Sequence, residues 1–426
     1  MSDSNLSLTS DDENEVSKEI IGKLYNNRYF CLKYLGRGTF SRVWLVNELE
    51  TNQFYAMKVV FSEYIEDGEH ELEMANLLDN KDNNESRVIK LINSFKENDQ
   101  IYIINELMGI PLVDLLDEEE DIKTNLIKKM IKDVLLGLKE LHKKNIVHND
   151  LKLENVMSNI YTTKIKNIMK WFSDLNINDQ IQTEIEKKLP ENYSNFEKNK
   201  RKKVKRNIKH SVIKNISIQL GEKLKEYNRL INNRDIKEIV DIDEIDESEL
   251  NDKYYDSKDL NIETMIVKII DLGNSEHTDK LTQDYIQIRQ YRPPENIINN
   301  IYGLKSDIWA LGCMIYEIFT TEYLFDIEDT YKDDIEKDRA YLYEMYSILG
   351  KMPRNMALDC EFSTDYFDNK GRILKFKNVD YTSLEKLLQN YDIEDDKLCD
   401  LLKHMFDYHP KTRYSCDQCL IHEWFN

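Results

Sequence analysis

The chain has 426 residues, 41% of them apolar, and its 80 acidic against 59 basic side chains give a formal net charge of −21. That length supports a sizeable core, and the acidity excludes general attraction to nucleic acid while favouring basic partners. No stretch approaches the ~18 apolar residues of a membrane span, the polar start "MSDSNLSLTSDDENEVSKE" is unlike a signal peptide, and the six cysteines are too scattered for a disulfide scaffold, so a cytoplasmic or nuclear protein is expected.

Residues 1–28 read as an acidic flexible tail. The stretch "RYFCLKYLGRGTFSRVWLVNELETNQFYAMKVV" then alternates apolar and polar residues in three runs broken by turns, which predicts a strand meander. A short helical pattern spans Glu69 to Leu78, and "RVIKLINSF" and "QIYIINELM" add two strands, so residues 29–108 predict a five-stranded sheet with one helix. From Asn125 to Leu141 the apolar residues recur at spacings of three and four, the stripe of a buried helix. The chain beyond is mainly helical except for residues 158–261, where the basic run "KNKRKKVKRNIKH" precedes the acidic run "DIDEIDESELNDKYYDSKD". Like-charge blocks of this kind stay solvated. The segment therefore reads as an insertion, partly helical around Trp171 and between Ile218 and Ile231. The pair Cys416 and Cys419 has no second pair for zinc and is expected to pack in a helix.

"IVHNDLKLENVM", residues 146–157, sets Asp150, Lys152 and Asn155 within six positions between apolar residues, and it looks like the catalytic loop of a protein kinase. In that role Asp150 accepts a hydroxyl proton, Lys152 offsets charge on the transferred phosphoryl and Asn155 holds Mg²⁺. The second metal ligand is Asp271 of "IIDLGNS", 121 residues farther on (271 − 150). Two hard oxygen donors suit Mg²⁺ carried in by ATP. Upstream, Leu35, Gly36, Arg37, Gly38, Thr39, Phe40, Ser41, Arg42 and Val43 form a Gly-rich turn between strands, where backbone N–H groups can approach phosphates. Lys58 is placed to neutralise the α- and β-phosphates, with Glu73 chosen over Glu69 and Glu71 as its partner, and Glu106 and Met108 lie in the hinge "ELM". Taken singly, the turn reads first as a plain hairpin, Lys58 as a surface charge and Asp271 as a turn residue. Their joint order argues against chance.

These residues resemble the eukaryotic protein kinases, and within them the SR-protein kinases, a CMGC subgroup that phosphorylates serines in Arg-Ser repeats. The resemblance rests on "IGKLYNNRYFCLKYLGRGTFSRVWL", "YAMKVV", "VKIIDLGNS", "IQIRQYRPPE", "DIWALGCMIYEI" and "LYEMYSILGKMPRNM". It implies an α+β, two-lobed kinase fold with a β-rich N-lobe (29–108) and a helical C-lobe (109–157 and 262–426), interrupted by a spacer (158–261) that accounts for the long gap. It implies an ATP- and Mg²⁺-dependent serine/threonine kinase, a monomer with basic Arg-Ser-rich protein substrates, binding neither nucleic acid nor membrane. Glu295 with Arg413 is implied as a buried ion pair, and Asp307 as a brace of the catalytic loop.

Four positions depart from the general pattern. Asn149 replaces the common Arg, so no cationic pocket awaits an activation-loop phosphate and activity without prior phosphorylation is expected. Leu153 replaces a common Pro, and Asn105 occupies the usually apolar gatekeeper position. Ile288 stands where a Thr commonly bonds to the catalytic Asp and Lys, which keeps a catalytically silent scaffolding pseudokinase as the alternative. Asp334, Asp338 and Glu344 lie where a docking helix for Arg-rich segments would fall, although a solvated acidic face reads equally well. The "RKKVKR" run could also serve nuclear import, anchoring or nucleic-acid binding, the last weakened by the lack of interleaved aromatics.

Overall fold

The computed structural model describes residues 20–78, 83, 85–118, 124–235, 255, 260–299, 301–327, 331–376 and 379–426. In chain order the elements that matter are β1 (Leu24–Tyr25), β2 (Tyr29–Gly38), β3 (Ser41–Glu48), β4 (Gln53–Val60), α1 (Ile65–Leu78), β5 (Leu91–Glu97) and β6 (Gln100–Glu106). Next come α2 (Thr124–Lys143), β7 (Ile146–Val147), β8 (Val156–Ser158), α3 (Thr163–Asp174), α4 (Ile177–Lys188) and α5 (Lys198–Asp235). They are followed by β9 (Val267–Ile269), β10 (Glu276–His277), α6 (Leu304–Thr320), α7 (Asp334–Leu349) and α8 (Cys416–Leu420). The chain divides into a sheet unit (1–69, 91–108 and 161–257) and a helical unit (70–90, 109–160 and 258–426).

The sheet unit is built on six antiparallel strands in the order β1-β2-β3-β4-β6-β5. The meander read from alternation is present, with one strand added: Leu24 pairs with Phe30 and Tyr25 with Tyr29. The end of the expected tail is therefore part of the sheet, and residues 1–19 lie outside the described residues. One sheet face packs Tyr29, Trp44, Met57, Tyr102 and Ile104 together.

The other face carries a finding that charge patterning missed. Phe30, Leu32, Leu45 and Leu49 form one core with Ile165, Ile168 and Phe172 of α3, Ile177, Ile181 and Ile185 of α4, and Val212, Ile213, Ile216, Leu220 and Leu224 of α5. The insertion is thus a helical layer on the sheet. Its apolar residues recur every three or four positions, so each helix presents one stripe inward. α3 starts where the Thr162 hydroxyl accepts the Ile165 N–H at 3.3 Å, a regular N-cap. α5 passes close to the chain at Gly22: a Cβ on Gly221 would stand 3.2 Å from the Gly22 carbonyl oxygen, and Gly22 itself has φ +78°. The acidic run that follows α5 lies outside the described residues, Tyr255 apart.

The helical unit gathers around α2 and α6. Met130, Ile131, Val134, Leu135, Leu138 and Leu141 of α2 are fully buried, as their spacing predicts. Trp309 of α6 lies under the Arg413 guanidinium, 5.0 Å from the ring centroid. Among the described residues no helix is long and apolar enough to cross a membrane.

Candidate active site

In the sheet unit the Gly-rich turn is a hairpin: Gly38 pairs with Ser41, leaving Thr39 and Phe40 at the tip. Lys58 on β4 lies directly across from Val43 on one side and Ile103 on the other. Glu106 ends β6, and the carbonyl of Leu107 beside it accepts the Tyr161 hydroxyl at 2.9 Å. Asn105 pairs with Ala56 of β4.

In the helical unit the catalytic loop is held from several sides. Asn155 Nδ2 donates to the Asp150 carbonyl (2.8 Å) and to Asp150 Oδ2 (3.0 Å). Lys152 Nζ stands 3.4 Å from the same Oδ2, and Asn274 Nδ2 donates to it at 3.4 Å. Asp150 thus keeps three donors although Ile288 offers no hydroxyl. Beneath the loop, the two oxygens of fully buried Asp307 accept the N–H groups of His148 (3.0 Å) and Asn149 (3.2 Å). That brace fixes the backbone on which Asp150 is mounted, and Asn149, at φ +65°, needs it.

β8 and β9 form a two-stranded ribbon in which Val156 faces Ile269 and Ser158 faces Val267. Asn155 precedes β8 and Asp271 follows β9, so both candidate metal ligands emerge at one end of this ribbon. At its other end Asn159 and Ile266 close on each other, the Asn159 N–H reaching the Ile266 carbonyl at 3.0 Å. An insertion that leaves and returns at that far end does not disturb the catalytic end. With its amide nitrogen committed to Asp150, Asn155 has its amide oxygen for a cation. Among the described residues no cluster of three or more His, Cys, Asp or Glu could hold a metal alone. The donor set therefore fits Mg²⁺ that arrives with its nucleotide and keeps phosphate and water ligands.

Of the three acids weighed on α1, Glu73 is not the buried one. Its side chain is 59% exposed and lies 3.9 Å from Lys280, on the same side of α1 as exposed Leu77. The buried acid is Glu71, in line with Met74 and Leu78 at positions three and seven residues on. The docking acids divide as well. Asp338 is buried and pairs with Arg289, and its carboxylate accepts the Tyr366 hydroxyl at 3.3 Å. Burial pushes its pKa up against the pull of Arg289 and Arg292. Asp334 also pairs with Arg289, at 3.1 Å, but is 77% exposed. Burial and Asp326 likewise raise Glu344. Of the three, only Asp334 offers an open carboxylate. Glu295 and Arg413 form the expected buried pair, with bidentate contacts of 2.7 and 2.8 Å.

Two groups escaped the sequence reading. His142 of α2 joins Asp307 (2.9 Å) to the thiol of Cys416 (3.3 Å). Burial disfavours its charge, but the bonds to Asp307 and Cys416 outweigh that and raise its pKa to about 10. Glu276 of β10 accepts from Asn149 Nδ2 (3.4 Å), the Thr282 N–H (3.1 Å) and the Tyr302 hydroxyl. It ties the segment after Asp271 to the catalytic loop with a carboxylate.

With this geometry stand the comparisons. Residues 29–186 and 253–425 match the family model for the protein kinase domain. The serine/threonine-protein kinase SRPK of Physarum polycephalum is 29% identical over 95% of this chain and 87% of its own length. The SRSF protein kinase 3 of Mus musculus is 23% identical over 95% of this chain and 88% of its own. A crystallised kinase domain superposes with a TM-score of 0.62 at 19% identity, covering 95% of this chain and 97% of that one, and so shares the fold. The chain belongs to the protein kinase family.

Proposed function

We propose that this chain is a serine/threonine kinase that transfers the γ-phosphoryl of ATP to serines in Arg-Ser-rich protein segments. The observation that carries the transfer is the fixed Asp150 carboxylate, held by Asn155, Lys152 and Asn274 on a loop braced by Asp307. Asp150 orients the serine hydroxyl and takes its proton as the Oγ–phosphorus bond forms and the bond from phosphorus to the β–γ bridging oxygen breaks. Lys152 offsets negative charge on the transferred group, and Lys58 offsets it on the α- and β-phosphates. Mg²⁺, held by Asn155 and Asp271, would neutralise phosphate charge when bound. Glu71 takes the role first given to Glu73. Glu71→Gln is expected to lower kcat/KM by about 10²-fold and Glu73→Gln to leave it within about twofold, since exposed pairs contribute little. Equal losses in steady-state assays would return the role to Glu73.

The substrate reading is supported by the likeness to kinases named for SRPK and SRSF, by the Asp271–Asn274 and Arg289–Arg292 motifs and by the net charge of −21. Its test is phosphate incorporation into two peptides, one of Arg-Ser repeats and one acidic with serine. The first should be favoured by at least about 10²-fold at low salt, with the preference shrinking as salt screens it. Preference for the acidic peptide would sink the assignment.

A further inference from the structure

The face of α5 that packs on the sheet continues past the end of the packing. Leu220, Ile216 and Val212 are buried on it. Counting back along the same face of a 3.6-residue helix gives Lys209, Lys205, Lys202 and Lys198. Ile208 still packs on the sheet core beside half-buried Lys209, and farther back Lys198, Lys202 and Lys205 form an exposed cationic stripe. These lysines, with Arg201 and Arg206 beside them, line an open hollow of about 780 Å³. Its remaining lining includes Asn26 and Arg28 before β2, Glu50 after β3, and Tyr193.

Two of the cations are answered within the sheet unit: Arg28 pairs with Glu48, and Lys209 with Glu50. Among the described residues Lys198, Arg201, Lys202, Lys205 and Arg206 make no ion pair. Their placement works against the helix. Cations in the first turns oppose the macrodipole, and like charges three and four residues apart repel. A bound polyanion relieves both penalties.

We propose that this hollow binds a multiply phosphorylated peptide segment, with successive phosphates ranged along the stripe from Lys198 to Lys209. Helix positions three and four residues apart are separated by about 5–6 Å, close to the ~6.6 Å between alternate residues of an extended peptide. Arg201 and Arg206 can grip phosphate oxygens in pairs, and the Asn26 side-chain amide adds a neutral donor. A short phosphopeptide confines its charge to the hollow, whereas a long nucleic acid would extend over a chain whose net charge is −21. The ligand is the product class of a protein kinase, so the inference rests on the family and not on the substrate sequence preferred.

The test is fluorescence anisotropy on the whole chain at low salt without ATP, so its result is independent of catalysis. The probe is a labelled peptide of four phosphoserines alternating with glycine. Its competitors are the unphosphorylated peptide, the Asp-for-phosphoserine peptide and an eight-nucleotide oligothymidylate. The phosphopeptide should bind at least about tenfold more tightly than any of the three. The triple variant Lys202→Gln, Lys205→Gln, Arg206→Gln should lose at least about tenfold in that affinity while melting no lower than the parent. Absence of binding, binding unchanged in the variant, a variant that melts lower, or an Asp peptide or oligonucleotide that binds as well would each overturn the proposal.

Discussion

Phe172→Ala lowers the stability of the sheet unit by about 3–5 kcal/mol, the cost of emptying a large aromatic site in a closed core. Phe172 is fully buried, with its ring 5.9 Å from that of Phe30 and 6.2 Å from that of Phe54. The first partner lies on β2 and the second on β4, so the side chain is shared between the insertion and two strands. A loss of this size is a large part of the 5–15 kcal/mol by which domains are usually stable. The variant should unfold at a clearly lower urea midpoint and lose phosphate transfer at 37 °C, although Phe172 belongs to no expected site. Trp171→Ala should cost less, because its ring is only partly buried and stacks on Tyr227 at 4.3 Å. A Phe172→Ala midpoint equal to that of the parent would mean that the insertion is not part of the core.

Asp307→Ala acts on chemistry from below. It removes the acceptors of two buried N–H groups and leaves the His142 imidazolium without its carboxylate. Breaking a buried pair in this way costs about 3–5 kcal/mol, and releasing the loop that mounts Asp150 should lower kcat by at least about 10²-fold. The KM for ATP should change little, since Asp307 is not among the residues proposed to meet nucleotide. His142 also gives the variant a signature in pH. Its folded pKa of about 10 lies above the ordinary ~6.5 of an unfolded histidine. The stabilisation is therefore complete below about pH 6.5 and is lost as pH rises through about 10. In Asp307→Ala that decline in stability across the alkaline range should flatten. A variant with parental kcat, or with the same alkaline decline, would remove Asp307 from this role.

The parts legible in the sequence were those whose chemistry is local. Asp150, Lys152 and Asn155 fall within six consecutive positions, so spacing grouped them, while Asp271, 121 residues on (271 − 150), was joined to them by the apolar strand before it and the order of the motifs. The choice among Glu69, Glu71 and Glu73 had little to rest on, because "EDGEHELE" carries almost no apolar residue to mark an inner face. Burial of Met74 and Leu78 puts Glu71 on the inner face, and their positions relative to it were the available signal. In the insertion, helix was expected around Trp171 and from Ile218 to Ile231 and is present at both, but the burial of its inner face was missed for a different reason. Blocks of like charge dominated its reading, while Ile165, Ile168 and Phe172, then Ile177, Ile181 and Ile185, kept a helical period within it. A segment can be solvated along one face and still complete a core along the other. His142 and Glu276 left no readable mark, because their partners lie 165 and 127 residues away along the chain.

The activity proposed for this chain requires a catalytic loop that is set without phosphorylation. Asn149 donates to Glu276, and that carboxylate also receives the Thr282 N–H, so the segment after Asp271 is anchored by this carboxylate together with the backbone pairing of β10 with β7. The direct measurement is phosphate transfer to an Arg-Ser peptide by the chain after exhaustive phosphatase treatment, with Asp150→Ala alongside. Undiminished transfer by the treated parent, and a loss of at least about 10³-fold in the variant, is the predicted result. No transfer by the parent before or after treatment, with ATP still bound, would contradict it and leave a silent scaffold.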